Sequence, residues 1–478
     1  MSDVQDSAVY EAFKIEQRGI DLIPDSERVM RPTGLFWLWA GAIWNVEFLV
    51  YGALIMAFGL SFEQALLAIL IGNVSHIFLG ALSLQGPETG TTAIMVSRAP
   101  FGQNGNRLVA LFNWLTQVGF EVEGLALIVI VVQDMFGREH HGMGDGTKAV
   151  VIIAAVALQF VVPFLGHATI TRVLRWLSVV FIVVFGVMAI LVIPHYHHVK
   201  QHASGAGWTT ALVLIISAGG LGWTENGNDY SRYLPRSTPR RGTFLAATLG
   251  AAIPSILLEI LGALAFGAGH GLGGASTTSG IIQALPTSFS SWFFWPFMIL
   301  AIPQLFAINT LDLYSSGVTL QALGVPVKRW GAVVIDTIVA GGATAVVIYT
   351  NNFFADLSNF LDYIVVWLAP WFGIALVDWL LRRGSYRPLD LVRSMGGTYW
   401  RNGGVHWRAL VALAIGMVSA LMWIDAAYAN PAYVGPLSSR TNGSDFSWAI
   451  GLVVGAVVYA VLSFRSVPRE TVEAAEAR

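Results

Sequence analysis

Long runs of apolar residues alternate with short polar segments over almost the whole chain, and this pattern predicts the secondary structure. A run of about 20 uncharged residues is long enough to cross a bilayer as one α-helix. Twelve such runs, which we call spans 1 to 12, lie at residues 35–57, 64–83, 107–135, 149–166, 173–193, 209–224, 243–268, 291–321, 331–349, 357–381, 408–427 and 447–464. The sequence therefore predicts an all-α polytopic membrane protein with about twelve transmembrane helices.

The amino-acid composition agrees with this prediction. Of the 478 residues, 55% are hydrophobic and only 12% are charged, whereas about 25% of the residues in a typical soluble domain are charged. The chain has no cysteine, which excludes disulfides and thiolate metal sites. The polar segment before span 1 carries acids as well as bases, which is not the pattern of a secretory signal peptide. We expect a lipid bilayer around the spans and no nucleic-acid partner.

The distribution of Lys and Arg predicts the orientation of the chain, because cytoplasmic segments of membrane proteins are enriched in these residues. If the N-terminus is cytoplasmic, only four of the 27 Lys and Arg residues fall in outer segments: Arg138, Lys148, Lys200 and Arg440. One missed or additional span would destroy this bias. The bias therefore supports twelve spans in the cell membrane, with both termini in the cytoplasm.

Spans 1 and 6 contain glycines beside polar residues, where a membrane helix is normally apolar. In span 6, three glycines within residues 219–222 precede a stretch of carboxylates and asparagines, and in span 1 Gly41 precedes Asn45 and Glu47. Interrupted helices at corresponding positions of two halves indicate a transporter whose substrate binds at the membrane midplane. The alternatives are close helix packing at small residues and a plain helix end at Gly222.

The correspondence between spans 1 and 6 predicts a division of the chain. We expect a cytoplasmic segment at 1–34, a first five-helix repeat at 35–193 and a second five-helix repeat at 209–381. Spans 11 and 12 then occupy 408–464, and a cytoplasmic tail occupies 465–478.

Polar residues within spans are energetically costly, and they are therefore candidates for function. Gln117 and Glu121 share one face of span 3, and Asn309, Asp312 and Ser316 share one face of span 8, because residues three or four positions apart are neighbours on a helix.

Other carboxylates within spans are interpreted differently. Glu123 points well away from Glu121, because residues two positions apart are separated by about 200° on a helix. Glu259, Asp336 and Asp362 are more typical of hydrogen bonds between helices than of a binding site.

Four motifs along the chain identify a family resemblance. They are GPETGTTAIMVSRAPFG before span 3, TQVGFE within span 3, GWTENGNDYSRYLP at the end of span 6 and NTLDLYSSGVTLQALG in span 8. Together they resemble the purine–cytosine permease branch of the nucleobase–cation symporter family, over nearly the whole length of the chain. The combination of GPETG and DYSRY carries the specificity, since either element alone is a weak signal.

The resemblance implies a leucine-transporter-like fold, in which spans 1–5 and 6–10 form inverted repeats and spans 11 and 12 are appended. Members of this family bind their substrate between spans 1, 3, 6 and 8. On this chain the resemblance therefore selects eight substrate-binding residues: Asn45, Glu47, Gln117, Phe120, Gly219, Gly220, Asn309 and Asp312.

Two of these positions depart from the family pattern. Phe120 stands where the family usually has tryptophan, so a ring remains for stacking but the indole N–H is lost. Gly220 stands where some members have an aromatic residue at the break of span 6. The resemblance at this position predicts a wider cavity, able to admit a purine.

The coupling ion is predicted from another departure. Sodium-dependent relatives have a Ser/Thr pair just before the asparagine of span 8, whereas this chain has Ala307 and Ile308. These side chains offer no oxygen to a hard cation. We therefore expect coupling to H⁺, with Glu47, Glu121 and Asp312 as candidate carriers of the proton, and we keep Na⁺ as the alternative.

The sequence thus predicts a secondary active transporter that imports a nucleobase (cytosine or a purine) or a similar heterocycle with a coupling cation. The alternative is a Na⁺-coupled symporter of an allantoin-, hydantoin- or vitamin-like heterocycle. A membrane enzyme would need a nucleophile or metal-ligand cluster at membrane depth, and a channel would need repeated filter residues. The sequence has neither pattern, and we predict no cofactor and no metal site. It does not indicate an oligomeric state.

Overall fold

The computed structural model describes residues 19–161, 167–268, 289–350, 353–427, 432–468 and 470–471. The helices of the spans are Pro32–Ile43 with Val46–Ala57 (span 1), Phe62–Asn73 with His76–Ser83 (span 2), Asn106–Arg138 (span 3), Asp145–Gln159 (span 4), His167–Val192 (span 5), Gly205–Ala218 (span 6), Arg240–Ala268 (span 7), Ser291–Leu323 (span 8), Arg329–Thr350 (span 9), Phe353–Arg382 (span 10), Trp407–Trp423 (span 11) and Ser447–Ser463 (span 12). The prediction of an all-α polytopic membrane protein is confirmed.

Shorter elements connect the spans. Short α-helices lie at Gln85–Thr89, Ala93–Val96, Arg98–Phe101, Gly227–Ser231, Pro388–Val392 and Pro436–Arg440, and 3-10 turns at Asp25–Glu27, Ile193–His195 and Thr224–Asn226. In the part of the chain that the structure describes, the strands are limited to one antiparallel pair, Asp425–Ala426 with Tyr433–Val434.

The lengths of the helices fit a membrane protein. Among the described residues, seven helices are long and apolar enough to cross a bilayer, and the bent pair of span 1 makes an eighth. Spans 6, 11 and 12 are shorter apolar helices. Span 3 is longer than predicted at both ends, and span 8 begins at the predicted residue and extends two residues beyond the predicted end.

The ends of the helices follow from local sequence. Ser61 and Gln64 form a capping box at the start of span 2, which satisfies backbone N–H groups that have no partner within the helix. Span 8 ends at Gly324, whose φ of 103° lies in the left-handed region that favours glycine. Proline stands at the first helical position of span 1, where its missing N–H costs nothing.

The packing of the helices follows the predicted inverted repeat. Span 1 packs against spans 5 and 7, and span 6 packs against spans 10 and 2. The two sets of contacts are equivalent under the repeat: span 1 corresponds to span 6, span 5 to span 10, and span 7 to span 2. Spans 3 and 8, which are counterparts of each other, pack together along their length, and spans 11 and 12 pack against span 10. The residue bounds that we gave for the two repeats stay a prediction.

Spans 1 and 6 are both interrupted. The two helices of span 1 meet at an angle of 57° on either side of Trp44 and Asn45. Span 6 ends at Ala218, and residues 219–223 form turns before the chain coils again. The predicted break of span 6 is confirmed. Span 2 is locally tightened at Val74 and Ser75, whose N–H groups bond the carbonyls three residues earlier, but its backbone stays in the right-handed helical region.

Candidate functional site

Asn45 closes the break in span 1. Its Nδ2 donates to the carbonyl of Ala42 at 2.8 Å, and its Oδ1 accepts from the backbone N–H of Glu47 at 2.7 Å. The residue is extended and caps the helix Val46–Ala57. Because both polar atoms of the amide bind the backbone, Asn45 holds Glu47 at the start of this helix. A direct contact of Asn45 with substrate stays a prediction.

Gly219 and Gly220 lie where the break of span 6 meets span 2 at Ser75 and His76. A Cβ atom at Gly220 would lie 2.1 Å from the carbonyl carbon of Ser75 and 2.2 Å from the nitrogen of His76. A Cβ at Gly219 would lie 3.2 Å from the ring of His76. The prediction of a wider cavity at Gly220 was wrong, because the backbone of span 2 fills the space beside this glycine.

This close approach gives a prediction for Gly220→Ala. We expect a loss of stability of about 1–3 kcal/mol, because overpacking a tight contact costs about that much. Thermal unfolding of the purified protein in detergent measures the loss. Gly186→Ala in span 5 is the matched control, because a Cβ there meets nothing within 4 Å. Equal melting temperatures for the two variants would contradict the close packing of spans 6 and 2.

Gln117 joins span 3 to the turn that follows the break of span 6. Its Nε2 donates to Oε1 of Glu225 at 3.0 Å, and its Oε1 accepts from Nδ2 of Asn226 at 3.1 Å. All three side chains are buried. Two amides and a carboxylate thus lie next to one another, which provides both donors and acceptors for the edge of a polar ligand.

An aromatic pair lies beside this polar group. The rings of Phe120 and Trp223 are nearly parallel, with centroids 6.0 Å apart and an interplanar angle of 15°. Trp39 and Phe360 pack edge-on against Trp223 and Phe120, respectively. Nε1 of Trp223 is buried and has no acceptor among the residues that the structure describes. Trp223 therefore supplies an indole N–H beside Phe120, which itself has none.

Asn309 connects three spans. Its Nδ2 donates to the carbonyl of Glu121 at 3.1 Å and to Oε1 of Gln159 at 3.1 Å. Its side chain fits against span 3 at Gly124, where a Cβ would lie 2.0 Å from Oδ1 of Asn309. This Oδ1 has no donor among the described residues. Asn309 thus fixes span 8 against spans 3 and 4 and keeps one acceptor unused.

Glu47 belongs to a pair of carboxyl groups that share one hydroxyl. The hydroxyl of Tyr51 lies 2.7 Å from Oε1 of Glu47 and 2.6 Å from Oε1 of Glu123. Both glutamates are buried. None of the ion pairs found among the described residues involves either of them. Glu123 faces span 1, in agreement with its predicted direction away from Glu121.

The number of hydrogens determines the charge of this pair. A phenol carries one hydrogen and can donate only one of the two bonds. The other short contact needs a hydrogen on its carboxyl group, since two oxygens without a hydrogen between them repel each other. At least one of Glu47 and Glu123 is therefore protonated in this arrangement, and the pair can hold an exchangeable proton.

Asp312 lies close to this pair, and Glu121 lies close to Asp312. Oε1 of Glu121 lies 2.7 Å from the hydroxyl of Ser316, within hydrogen-bond distance. Asp312 is buried within electrostatic range of Glu47, Glu121 and Glu225, and its Oδ1 has no donor among the described residues. The three predicted proton carriers thus come together at the junction of spans 1, 3 and 8. Their part in coupling stays a prediction.

The sequence analysis did not select Tyr51, Glu123, Trp223, Glu225 or Asn226. Glu225 and Asn226 follow directly on the glycines of span 6, so their position beside a predicted break was an available signal. Tyr51 lies one helical turn from Glu47, which makes the two neighbours on one face. The sequence alone gave no signal that Glu123 would meet Tyr51 across two spans.

The chain was compared with known families and proteins. Residues 22–451 match the family described as "Permease for cytosine/purines, uracil, thiamine, allantoin". The putative purine-cytosine permease YxlA of Bacillus subtilis is 28% identical, and the aligned region covers 94% of this chain and 96% of the relative. The purine-cytosine permease fcyB of Emericella nidulans is 25% identical, with 94% and 88% covered.

A solved structure has a similar fold. The nucleobase-cation-symport-1 family transporter Mhp1, in a closed conformation with bromovinylhydantoin bound, superposes with a TM-score of 0.73. The two chains are 18% identical, and the superposition covers 95% of this chain and 96% of Mhp1. The inverted-repeat fold that the family resemblance implied is confirmed by this similarity.

Proposed function

The chain belongs to the family of permeases for cytosine/purines, uracil, thiamine and allantoin, and we propose that it imports a nucleobase, either cytosine or a purine, together with a proton. It is a multi-pass membrane transporter and not an enzyme. In the proposed cycle, the site between spans 1, 3, 6 and 8 opens alternately to each side of the membrane, as in other transporters built from inverted repeats.

One observation carries the choice of substrate: an aromatic pair stands next to a row of amide and carboxyl groups. Phe120 and Trp223 offer flat faces for stacking a heterocycle. Gln117, Glu225 and Asn226 provide donors and acceptors that match the edge of a nucleobase. A carboxylate can accept a pair of N–H bonds from an amidine-like edge, which cytosine and adenine both have.

The choice of the proton rests on the carboxyl pair of Glu47 and Glu123 around Tyr51. A pair that holds one exchangeable proton next to the site can gain or lose it as the site changes its exposure. Sodium would need several oxygen ligands. Ala307 and Ile308 are buried side chains without oxygen at the positions where sodium-dependent relatives have hydroxyls.

Uptake of radiolabelled heterocycles into proteoliposomes tests the substrate class. We expect cytosine or a purine to be taken up, and unlabelled cytosine, adenine and hypoxanthine to compete with it. Uptake of allantoin, a hydantoin or a vitamin in the absence of any nucleobase uptake would contradict the proposal.

The proposed cycle needs a gate on the predicted cytoplasmic side, and Arg232 has the contacts for it. The arginine is buried, its Nη1 donates to the carbonyl of Gly19 at 2.8 Å and its Nη2 to the hydroxyl of Tyr314 at 2.9 Å. It thereby connects the N-terminal segment and span 8 to the end of span 6. An ordinary surface charge that only sets orientation would not be buried in this way.

We expect Arg232→Ala to loosen this closure and expose the inner cavity. Because the chain has no cysteine, Ser315→Cys provides a single reporter beside the gate. Its labelling by a membrane-impermeant thiol reagent from the cytoplasmic face should be faster in the Arg232→Ala background. Arg236→Ala is the control, because Arg236 is more than half exposed and pairs with the exposed Asp25. If Ser315→Cys is labelled at equal rates in the Arg232→Ala and Arg236→Ala backgrounds, Arg232 has only a structural role and does not close a gate.

A further inference from the structure

A second pair of carboxyl groups shares a hydroxyl, on the other side of span 3 from the pair around Tyr51. The hydroxyl of Ser316 lies 2.7 Å from Oε1 of Glu121 and 3.1 Å from Oδ2 of Asp336. All three side chains are fully buried. The network links spans 3, 8 and 9, and the family's substrate-binding spans do not include span 9. The sequence analysis interpreted Asp336 as a residue that bonds helices together.

The hydrogens of this second network can also be counted. Serine carries one hydrogen, so it can donate to only one carboxyl group at a time. The other contact therefore needs a hydrogen on a carboxyl group. Asp336 accepts a further bond from the indole Nε1 of Trp114 at 2.5 Å and faces the guanidinium of Arg329. Both neighbours favour the ionised form of Asp336.

The groups around Glu121 favour its protonated form. The charged groups that face it are Asp336 and Asp312, both acidic. No basic side chain is paired with Glu121 in the described part of the chain. The arrangement is therefore directional: Glu121 holds the proton and donates to Ser316, and Ser316 donates to the carboxylate of Asp336.

The network also has a direction across the membrane. Asp336 lies two helical turns, about 10 Å, from Arg329 at the predicted cytoplasmic end of span 9. Asp336 accepts a bond from Trp114 of span 3, which lies two helical turns, about 10 Å, closer than Glu121 to the predicted cytoplasmic end of that span. Asp336 thus lies on the cytoplasmic side of Glu121, and Arg329 and Asp336 both approach Gly317, the residue that follows Ser316 in span 8.

We propose that Glu121, Ser316 and Asp336 form a proton-release relay that leads from the substrate site toward the cytoplasm. In the relay step the O–H bond of Glu121 breaks and its proton binds Oγ of Ser316. The hydroxyl hydrogen of Ser316 moves to Oδ2 of Asp336. The serine is regenerated, and the negative charge has moved from Asp336 to Glu121. The relay rests on the proposed H⁺ coupling and adds to it a specific route and an exit residue.

The test compares two activities of purified protein in proteoliposomes. Accumulation driven by an imposed pH gradient needs release of the proton, whereas counterflow, the exchange of labelled for unlabelled substrate, does not. We expect Asp336→Asn and Ser316→Ala each to lose pH-driven accumulation while counterflow stays close to the wild-type rate. Thr344→Val in span 9 is the control, because among the described residues its buried hydroxyl bonds only the backbone of its own helix at Ala340. It should retain both activities.

Each outcome has a separate meaning. If wild-type protein shows no proton-driven accumulation, the proposed function fails. If wild-type protein accumulates substrate and Asp336→Asn does so equally, the relay is wrong but H⁺ coupling stands. If accumulation and counterflow fall in parallel in the variants, these residues only support the fold, and the relay is likewise wrong. Thermal unfolding in detergent shows whether a variant is folded before transport is assayed.

Discussion

Glu47→Gln is expected to abolish accumulation of substrate against a gradient while substrate binding is retained. The amide has the shape of the protonated acid and can still bond the hydroxyl of Tyr51, which lies 2.7 Å from Glu47 in the native protein. It cannot release a proton, and while the amide donates to Tyr51 the phenol can donate to an ionised Glu123, so the two short contacts no longer need an exchangeable proton. Binding of radiolabelled substrate and pH-driven uptake, measured on the same preparation, separate the two effects.

Glu259→Gln is the matched control for this experiment. Glu259 is also a buried glutamate within a span, but its partners are the amide of Asn73 at 2.6 Å and the hydroxyl of Ser255 at 3.3 Å. A glutamine can satisfy both, because it accepts from Asn73 and donates to Ser255. We expect proton-driven uptake to persist. Normal accumulation by Glu47→Gln, or an equal loss in Glu259→Gln, would remove Glu47 from the coupling mechanism.

The second large effect is expected for Gln117→Ala and Asn309→Ala, which should each abolish or strongly weaken uptake. Removing Gln117 leaves the carboxylate of Glu225 and the amide of Asn226 without their partner in a buried site. The loss of a buried hydrogen-bond partner to a polar ligand costs about 1–3 kcal/mol, or roughly one to two decades in affinity. Removing Asn309 breaks the bonds that fix span 8 against spans 3 and 4.

Substrate affinity and initial uptake rate measure these losses, after expression and membrane insertion have been checked. Gln321→Ala is a suitable control, because Gln321 lies near the end of span 8 and bonds the backbone of Val327 in the following segment. It should transport normally. Near-normal uptake by both Gln117→Ala and Asn309→Ala would place the substrate site elsewhere.

The sequence predicted those features that depend on the residues of a single helix: its position, its breaks and the side chains that share one face. The glycines of span 6 predicted its break, and the spacing of Gln117 and Glu121 predicted their common face. The distribution of apolar runs predicted twelve spans, because each run must satisfy its backbone hydrogen bonds within itself to cross a bilayer. These features depend on local composition and on the period of the helix.

Features that depend on a second helix could not be predicted in the same way. A helical period shows which side chains share a face, but not which span lies opposite. The contacts of Tyr51 with Glu123 and of Gly220 with Ser75 therefore appear only in the structure.

The most direct test of H⁺-coupled nucleobase import imposes one ion gradient at a time on proteoliposomes. With sodium absent and the lumen alkaline, the account predicts concentrative uptake of cytosine or a purine, which collapses when a protonophore is added. With a sodium gradient and equal pH on both sides, it predicts only equilibration. Concentrative uptake under the sodium gradient alone would contradict the account, and it would return coupling to a sodium site built mostly from backbone carbonyls.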